Sequence, residues 1–205
     1  MIPVFLTLGG GALALIYLIR FAGAAPSGAK SVVKVGSVGA LVLAAPLLGA
    51  PWAIALGLAL GALGDFWLSR RGEAALLAGM AAFGLGHLAY TAAFWQAGAG
   101  GPGLLGAGAL GALGLWAMAW LAPRAGGLKW PVRCYIAIIL AMAAQASGLP
   151  GHTLARIGAA AFVASDLILA LEMFVLPEGG LRRAAQRGLW ALYWGAQAAI
   201  LWGMA

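Results

Sequence analysis

Apolar residues run along this chain in blocks of about 20, the length that crosses the hydrocarbon of a bilayer as a helix, separated by short links rich in Gly, Pro, Arg or Lys. Eight helices are predicted, over residues 2–20, 31–49, 51–69, 74–97, 103–122, 131–148, 154–176 and 186–204. Between the second and third, Pro46, Gly49 and Pro51 mark a tight reversal, because an unbroken helix of that length would overshoot the bilayer. Short links make neighbouring helices pack antiparallel. The expectation is an all-α polytopic membrane protein, one eight-helix bundle over residues 1–205, with no internal repeat of the kind that inverted-repeat transporters carry.

Composition supports this. Of 205 residues, 64% are hydrophobic and 8% charged, too few charges for a water-exposed surface, and mean hydropathy is +0.99. The 33 glycines suit helices that approach closely in lipid. No basic region precedes the first apolar block, whose first cation is Arg20, so it is expected to stay in the membrane and not to be removed as a signal peptide. The single cysteine, Cys134, excludes an internal disulfide and reads as a small helix-packing residue.

The formal charge of +7 is unevenly placed. Links after the odd-numbered helices hold eleven Lys and Arg, among them Lys30, Lys34, Arg70, Arg182 and Arg187, and those after even-numbered helices hold Arg156 alone. The positive-inside rule puts the odd links in the cytoplasm and both termini outside. The basic residues thus face anionic lipid, and no nucleic-acid partner is expected. The expected location is the cell membrane, as a multi-pass protein of a bacterial inner membrane, with membrane lipids as neighbours.

Three ionisable residues stand inside apolar blocks: Asp65, His87 and Asp166. Such groups are costly in lipid and point to function. Counted from the helix ends at about 1.5 Å per residue, Asp65 lies roughly 7 Å, Asp166 roughly 15 Å and His87 roughly 20 Å from the cytoplasmic side. These levels do not coincide unless the fourth helix tilts or starts late. Gly79, Phe83, His87 and Tyr90 share one helical face; Tyr193 and Gln197 share another, and Ser165 adjoins Asp166. Tyr135 lies on the sixth helix. Asp65, Asp166 and His87 are the catalytic candidates, with Lys34, Tyr90, Tyr135, Ser165, Tyr193 and Gln197 as substrate-binding candidates around one cavity. Plainer readings stand beside these: Asp65 pairing with Lys34, His87 bridging two helices, the tyrosines packing with tethered hydroxyls, and Glu172 solvated at the inner end of its helix. Three O/N donors make a poor zinc set, His152 falls in an outer link, and no metal or cofactor is expected. No nucleophile elbow, phosphate loop or dinucleotide fingerprint occurs.

Taken in order, these residues form a recognisable pattern. Gly64, Asp65 and Leu68 resemble a GDxxL signature, and Gly79, Phe83, His87 and Tyr90 a GxxxFxxxHxxY helix. Phe162, Ser165, Asp166, Leu169 and Phe174 resemble FxxSDxxLxxxxF, and Tyr193, Trp194, Ala196 and Gln197 a closing YYxAQ with Trp in place of the second Tyr. Lys34 is followed by Val35 where the pattern commonly has Pro. The chain thereby resembles the YhhN-like family of membrane proteins, whose characterised members are lysoplasmalogenases. The resemblance implies hydrolysis of the vinyl ether of a lysophospholipid to a fatty aldehyde and a glycerophospho-headgroup. Protonation at carbon would give an oxocarbenium ion that water then traps, so a general acid and a nearby carboxylate are needed. Asp166, deeper and without an evident cation, is expected to be the acid, and Asp65, nearer water and Lys34, the base; the reverse is also open. A proton-coupled transporter using Asp65, His87 and Asp166 as a relay, and a lipid-binding protein without activity, are the competing classes. Oligomeric state is not legible.

Overall fold

The computed structural model describes all 205 residues and contains no strand. Its helices are α1 (Ile2–Arg20), α2 (Gly28–Leu47), α3 (Trp52–Leu68), α4 (Glu73–Gln96), α5 (Leu104–Trp116), α6 (Lys129–Ser147), α7 (Thr153–Phe174) and α8 (Gly180–Met204). Four of these, α1, α2, α4 and α7, together with the helical stretch Leu104–Ser147, are long and apolar enough to cross a membrane. Helix α3 is apolar but has 17 residues, and α8 carries Arg182, Arg183 and Arg187 in its first turns. The chain is a membrane protein by these apolar spans.

Local chemistry sets the boundaries. Ser27 caps α2, its hydroxyl accepting from the Lys30 amide at 3.2 Å, which starts that helix ahead of the predicted residue 31. The reversal into α3 uses Gly49 at φ 73, with Pro51 as the cap, as expected there. Two predicted boundaries are corrected. The fifth helix was expected to run to residue 122, but its α-helical part stops at Trp116 and continues as a π turn (Ala117–Leu121) and a 3-10 segment (Ala122–Leu128). Pro123 lacks the N–H that would continue the α-helical ladder, and Gly126, at φ 59 and ψ −122, breaks the direction before α6. Helix α8 starts at Gly180 and not at 186, because Arg182, Arg183, Ala184, Ala185 and Gln186 are good helix formers that hydropathy alone overlooks.

Helix pairs α1/α2, α2/α3, α3/α4, α4/α6 and α7/α8 pack against one another, and α8 also meets α1, α2 and α3. Close approach in lipid depends on small residues, and α3 shows this along one stripe. A Cβ added to Gly57 would lie 2.3 Å from the Tyr90 ring, to Gly61 2.4 Å from Gln197 Nε2, and to Gly64 2.6 Å from Phe83. These three glycines are slots for side chains of α4 and α8, and they bring candidate residues of both helices onto α3. Trp190 Nε1 donates to the Ala14 carbonyl at 2.9 Å and Trp194 Nε1 to that of Ser37 at 3.3 Å, tying α8 to α1 and α2. Near the other end of the bundle Trp202 donates to Thr7 at 3.2 Å, so the two terminal helices meet there. Large apolar side chains such as Val32, Leu43, Leu104, Leu105 and Leu115 stay exposed on the outer faces, as a lipid-facing surface requires. Cys134 is among the exposed residues and not in helix packing, contrary to expectation.

Candidate functional site

The polar residues singled out above fall into two hydrogen-bonded groups separated by aromatic rings. The first is built on α2, α3, α4 and α8. Lys34 Nζ lies 2.8 Å from Asp65 Oδ1, with side-chain exposures of 13% and 1%. Tyr193 donates to Asp65 Oδ2 at 2.8 Å and accepts from Gln197 Nε2 at 3.2 Å, while Tyr90 donates to Gln197 Oε1. The ion pair with Lys34 is all that meets Oδ1, which has no further hydrogen-bond partner. Burying one carboxylate in lipid is costly; one cation and one phenol hydroxyl, each on its own oxygen, offset that cost.

The second group is built on α4, α6 and α7. Tyr135 donates to Asp166 Oδ2 at 2.6 Å, and His87 Nε2 lies 3.0 Å from the Tyr135 hydroxyl and 3.4 Å from Asp166 Oδ2. His87 is 1% exposed, and its Nδ1 is buried without a partner. An unpartnered buried N–H costs more than an unpartnered lone pair, so the neutral ring carries its proton on Nε2. The chain of donation then runs from His87 to Tyr135 to Asp166. Ser165 Oγ is 3.4 Å from Asp166 Oδ1 but already donates to the Phe162 carbonyl at 2.9 Å. Oδ1 is therefore the less engaged of the two oxygens, met only by Ser165.

Phe162 stands between the groups, edge-on to His87 with ring centroids 4.6 Å apart and to Tyr193 at 5.4 Å. Phe83 packs edge-on to Tyr193 at 5.7 Å. No hydrogen bond passes from one group to the other. Three expectations change accordingly. Asp65, expected nearer water, is the sealed carboxylate, and Asp166 is the accessible one, with a side chain 14% exposed against 1%. Asp166, expected to lack a basic neighbour, has His87. His87 and Asp166, counted at different depths from their own helix ends, nevertheless meet at 3.4 Å.

Asp166 and Tyr135 open onto a cleft between α4, α5, α6 and α7, walled by side chains such as Met80, Leu121, Ile139 and Leu167. Asp166 is the one charged residue lining it. An apolar cleft with one carboxylic group suits a hydrocarbon chain. Glu172, expected to be solvated, is instead buried, accepting from Arg182 Nε at 2.6 Å and Gln186 Nε2 at 2.8 Å. Sequence reading misses that contact because it leaves Arg182 in a link and starts the eighth helix only at Gln186. His152 Nδ1 sits 2.6 Å from the Gly203 carbonyl, a tie between helix ends. No three His, Cys, Asp or Glu side chains gather as metal ligands would.

Compared with known protein families, residues 29–204 match the YhhN family. No curated protein and no solved structure matches the chain.

Proposed function

The chain belongs to the YhhN family, and from that membership we propose that it is an intramembrane hydrolase of lysoplasmalogen-type lysophospholipids. It acts from the inner membrane of a bacterial cell, with all eight helices crossing the bilayer and both termini outside. The observation that carries this reading is Asp166, a lone carboxyl group on an apolar cleft, with one oxygen held by Tyr135 and His87 and the other met only by the Ser165 hydroxyl at 3.4 Å.

The chemistry follows from that arrangement. The alkenyl chain lies in the cleft with its double bond against Asp166. Asp166, protonated on Oδ1, gives its proton to the outer alkene carbon, and the ether oxygen shares the resulting cation as an oxocarbenium ion. The carboxylate so formed faces the cation and stabilises it in a low-dielectric site, where such interactions are strong. Water adds to the cationic carbon and loses its proton to Asp166, restoring the acid. The hemiacetal then collapses: its hydroxyl proton leaves, its carbonyl forms, and the glycerol oxygen departs with a proton. The products are a fatty aldehyde and a glycerophospho-headgroup. Where a second carboxylate was expected, one carboxyl group acting first as acid and then as base serves both steps, as the acid/base residue of retaining glycosidases does across its two steps. His87 and Tyr135 hold Asp166 in place, and Asp65 fixes Lys34 and Tyr193 on the far side of Phe162. Tyr90 and Gln197 support Tyr193, and Ser165 borders Asp166 Oδ1.

Fatty aldehyde released from a 1-alkenyl lysophospholipid by the purified protein in nonionic micelles tests the reading. No aldehyde from folded protein, together with proton-coupled uptake into proteoliposomes, would replace the hydrolase with a transporter.

A further inference from the structure

Beside the apolar cleft lies a second cavity, about 550 Å3 in volume, at the end of the bundle where the α1–α2 and α3–α4 links meet the end of α7 and the first turns of α8. Leu68, Leu76, Leu169 and Met173 line both, so the two spaces share a wall. Leu169 and Met173 lie one and two turns along α7 from Asp166, on its face; the second cavity therefore begins about 5–10 Å from that carboxyl group at the rise of an α-helix.

The charges around it are unequal in availability. Lys34 is committed to Asp65 at 2.8 Å, and Glu172 to Arg182 at 2.6 Å. Lys30 and Arg70 also line the cavity, and no carboxylate lies within ion-pair distance of either. Lys30 Nζ donates to the Ala24 carbonyl at 2.6 Å, and the Arg70 guanidinium lies 4.4 Å from the centre of the Phe66 ring. Two cations, one in the first turn of α2 and one in the α3–α4 link, both without a counterion, thus face one cavity that adjoins an apolar cleft. Glu73, on the same wall, is a carboxylate with no ion pair.

We infer that this cavity is the headgroup subsite, in which Lys30 and Arg70 bind the phosphate of a single-chain phospholipid whose tail occupies the adjoining cleft. Guanidinium and ammonium groups are the ordinary phosphate partners, and Glu73 accepts the ammonium of a zwitterionic headgroup. The glycerol unit spans the shared wall, which carries the ether oxygen to Asp166 when phosphate sits on Lys30 and Arg70. This inference rests on the hydrolase reading for the bond that is cut, but not for the phosphate contact.

The test uses the full-length protein in nonionic micelles, with Lys30→Ala/Arg70→Ala, the charge-keeping pair Lys30→Arg/Arg70→Lys, and Arg71→Ala, which lies outside the cavity. Three probes are compared: a 1-alkenyl lysophosphatidylethanolamine, the phosphate-free 1-alkenylglycerol, and glycerophosphoethanolamine, which has no tail. A charge-assisted contact is worth roughly tenfold or more. The alanine pair should raise KM for the phospholipid about 10- to 100-fold with kcat unchanged, and leave the alkenylglycerol unaffected. The charge-keeping pair and Arg71→Ala should stay near wild type. Glycerophosphoethanolamine should inhibit only weakly, since phosphate without a tail uses half of the site. An equal rise for both alkenyl probes, no rise, or tight binding of the tail-less probe would overturn the inference. If no vinyl ether is cut, binding of ester-linked lysophosphatidylethanolamine against monoacylglycerol decides it separately. Wild type should prefer the phospholipid about tenfold, and the alanine pair should lose that preference; equal affinity in wild type would refute the subsite whatever the reaction.

Discussion

The Lys34–Asp65 pair permits a sharp test, because its two halves sit in different surroundings. Asp65 is 1% exposed, and besides Lys34 only the Tyr193 hydroxyl reaches its carboxylate. Lys34 is 13% exposed and borders the large cavity. Removing one member of a buried pair typically costs about 3–5 kcal/mol, whereas replacing both with apolar groups is often neutral or stabilising. Lys34→Met leaves a sealed carboxylate with one neutral donor, so its cost should lie at the upper end of that range. Asp65→Asn leaves an ammonium that can draw water from the cavity, and it keeps an acceptor for Tyr193, so its cost should lie at the lower end or below. The double variant should cost about 2–3 kcal/mol less than the sum of the two single losses, a coupling within the span seen for residues in direct contact. Reversible denaturant unfolding in micelles, followed by tryptophan fluorescence, measures all four proteins. Additive losses, or Asp65→Asn costing more than Lys34→Met, would refute the assignment of Asp65 as the sealed partner of Lys34.

That pair also shows how far the chain could be read without coordinates. Asp65, His87 and Asp166 stood out because ionisable groups in apolar blocks are rare, and the pairing of Asp65 with Lys34 followed from their similar depth. Which acid faces the cleft was not legible: that depends on the rotation of α3 and α7 about their axes, set by the slots at Gly57, Gly61 and Gly64 and by the Phe162 ring. Hydropathy placed the helix cores but lost the start of α8, and with it the Glu172–Arg182 contact, because a helix start this rich in Arg resembles a link. Lys30 and Arg70 counted only as topological charges. Lys30 lies one turn before Lys34, a spacing that already puts both on one face, and that signal could have marked the cavity.

Four further outcomes are expected. Tyr135→Phe removes the hydroxyl that joins His87 to Asp166 and should lower kcat about 10- to 100-fold, with KM for the lipid little changed; unchanged kcat would dismiss the orienting chain, for which losses of this size reflect one charge-assisted hydrogen bond. Gly61→Ala drives a methyl to within 2.4 Å of Gln197 Nε2 and should destabilise by about 1–3 kcal/mol through overpacking, whereas Gly108→Ala, with open space around it, should not; equal unfolding midpoints would count against the α3–α8 contact. Turnover in H2 18O should leave the glycerophospho product unlabelled, because water attacks the alkenyl carbon; label in that product would mean cleavage on the glycerol side. A reporter fused after Ala205 should signal the outer side and one inserted between Gly179 and Gly180 the cytoplasm, and the opposite result would invert the bundle.

The most direct test of the proposed hydrolysis is the rate of fatty aldehyde release by wild type and by Asp166→Asn, with circular dichroism and thermal unfolding in the same micelles showing both to be folded. Asparagine keeps an oxygen for Tyr135 but can neither give a carboxylic proton nor face the cation with a full charge. Wild type should release aldehyde, and the variant should do so about 100- to 10,000-fold more slowly, the usual contribution of a general acid–base group. Folded wild type that releases none, or Asp166→Asn at near wild-type rate, would contradict hydrolysis by the Asp166 carboxyl group.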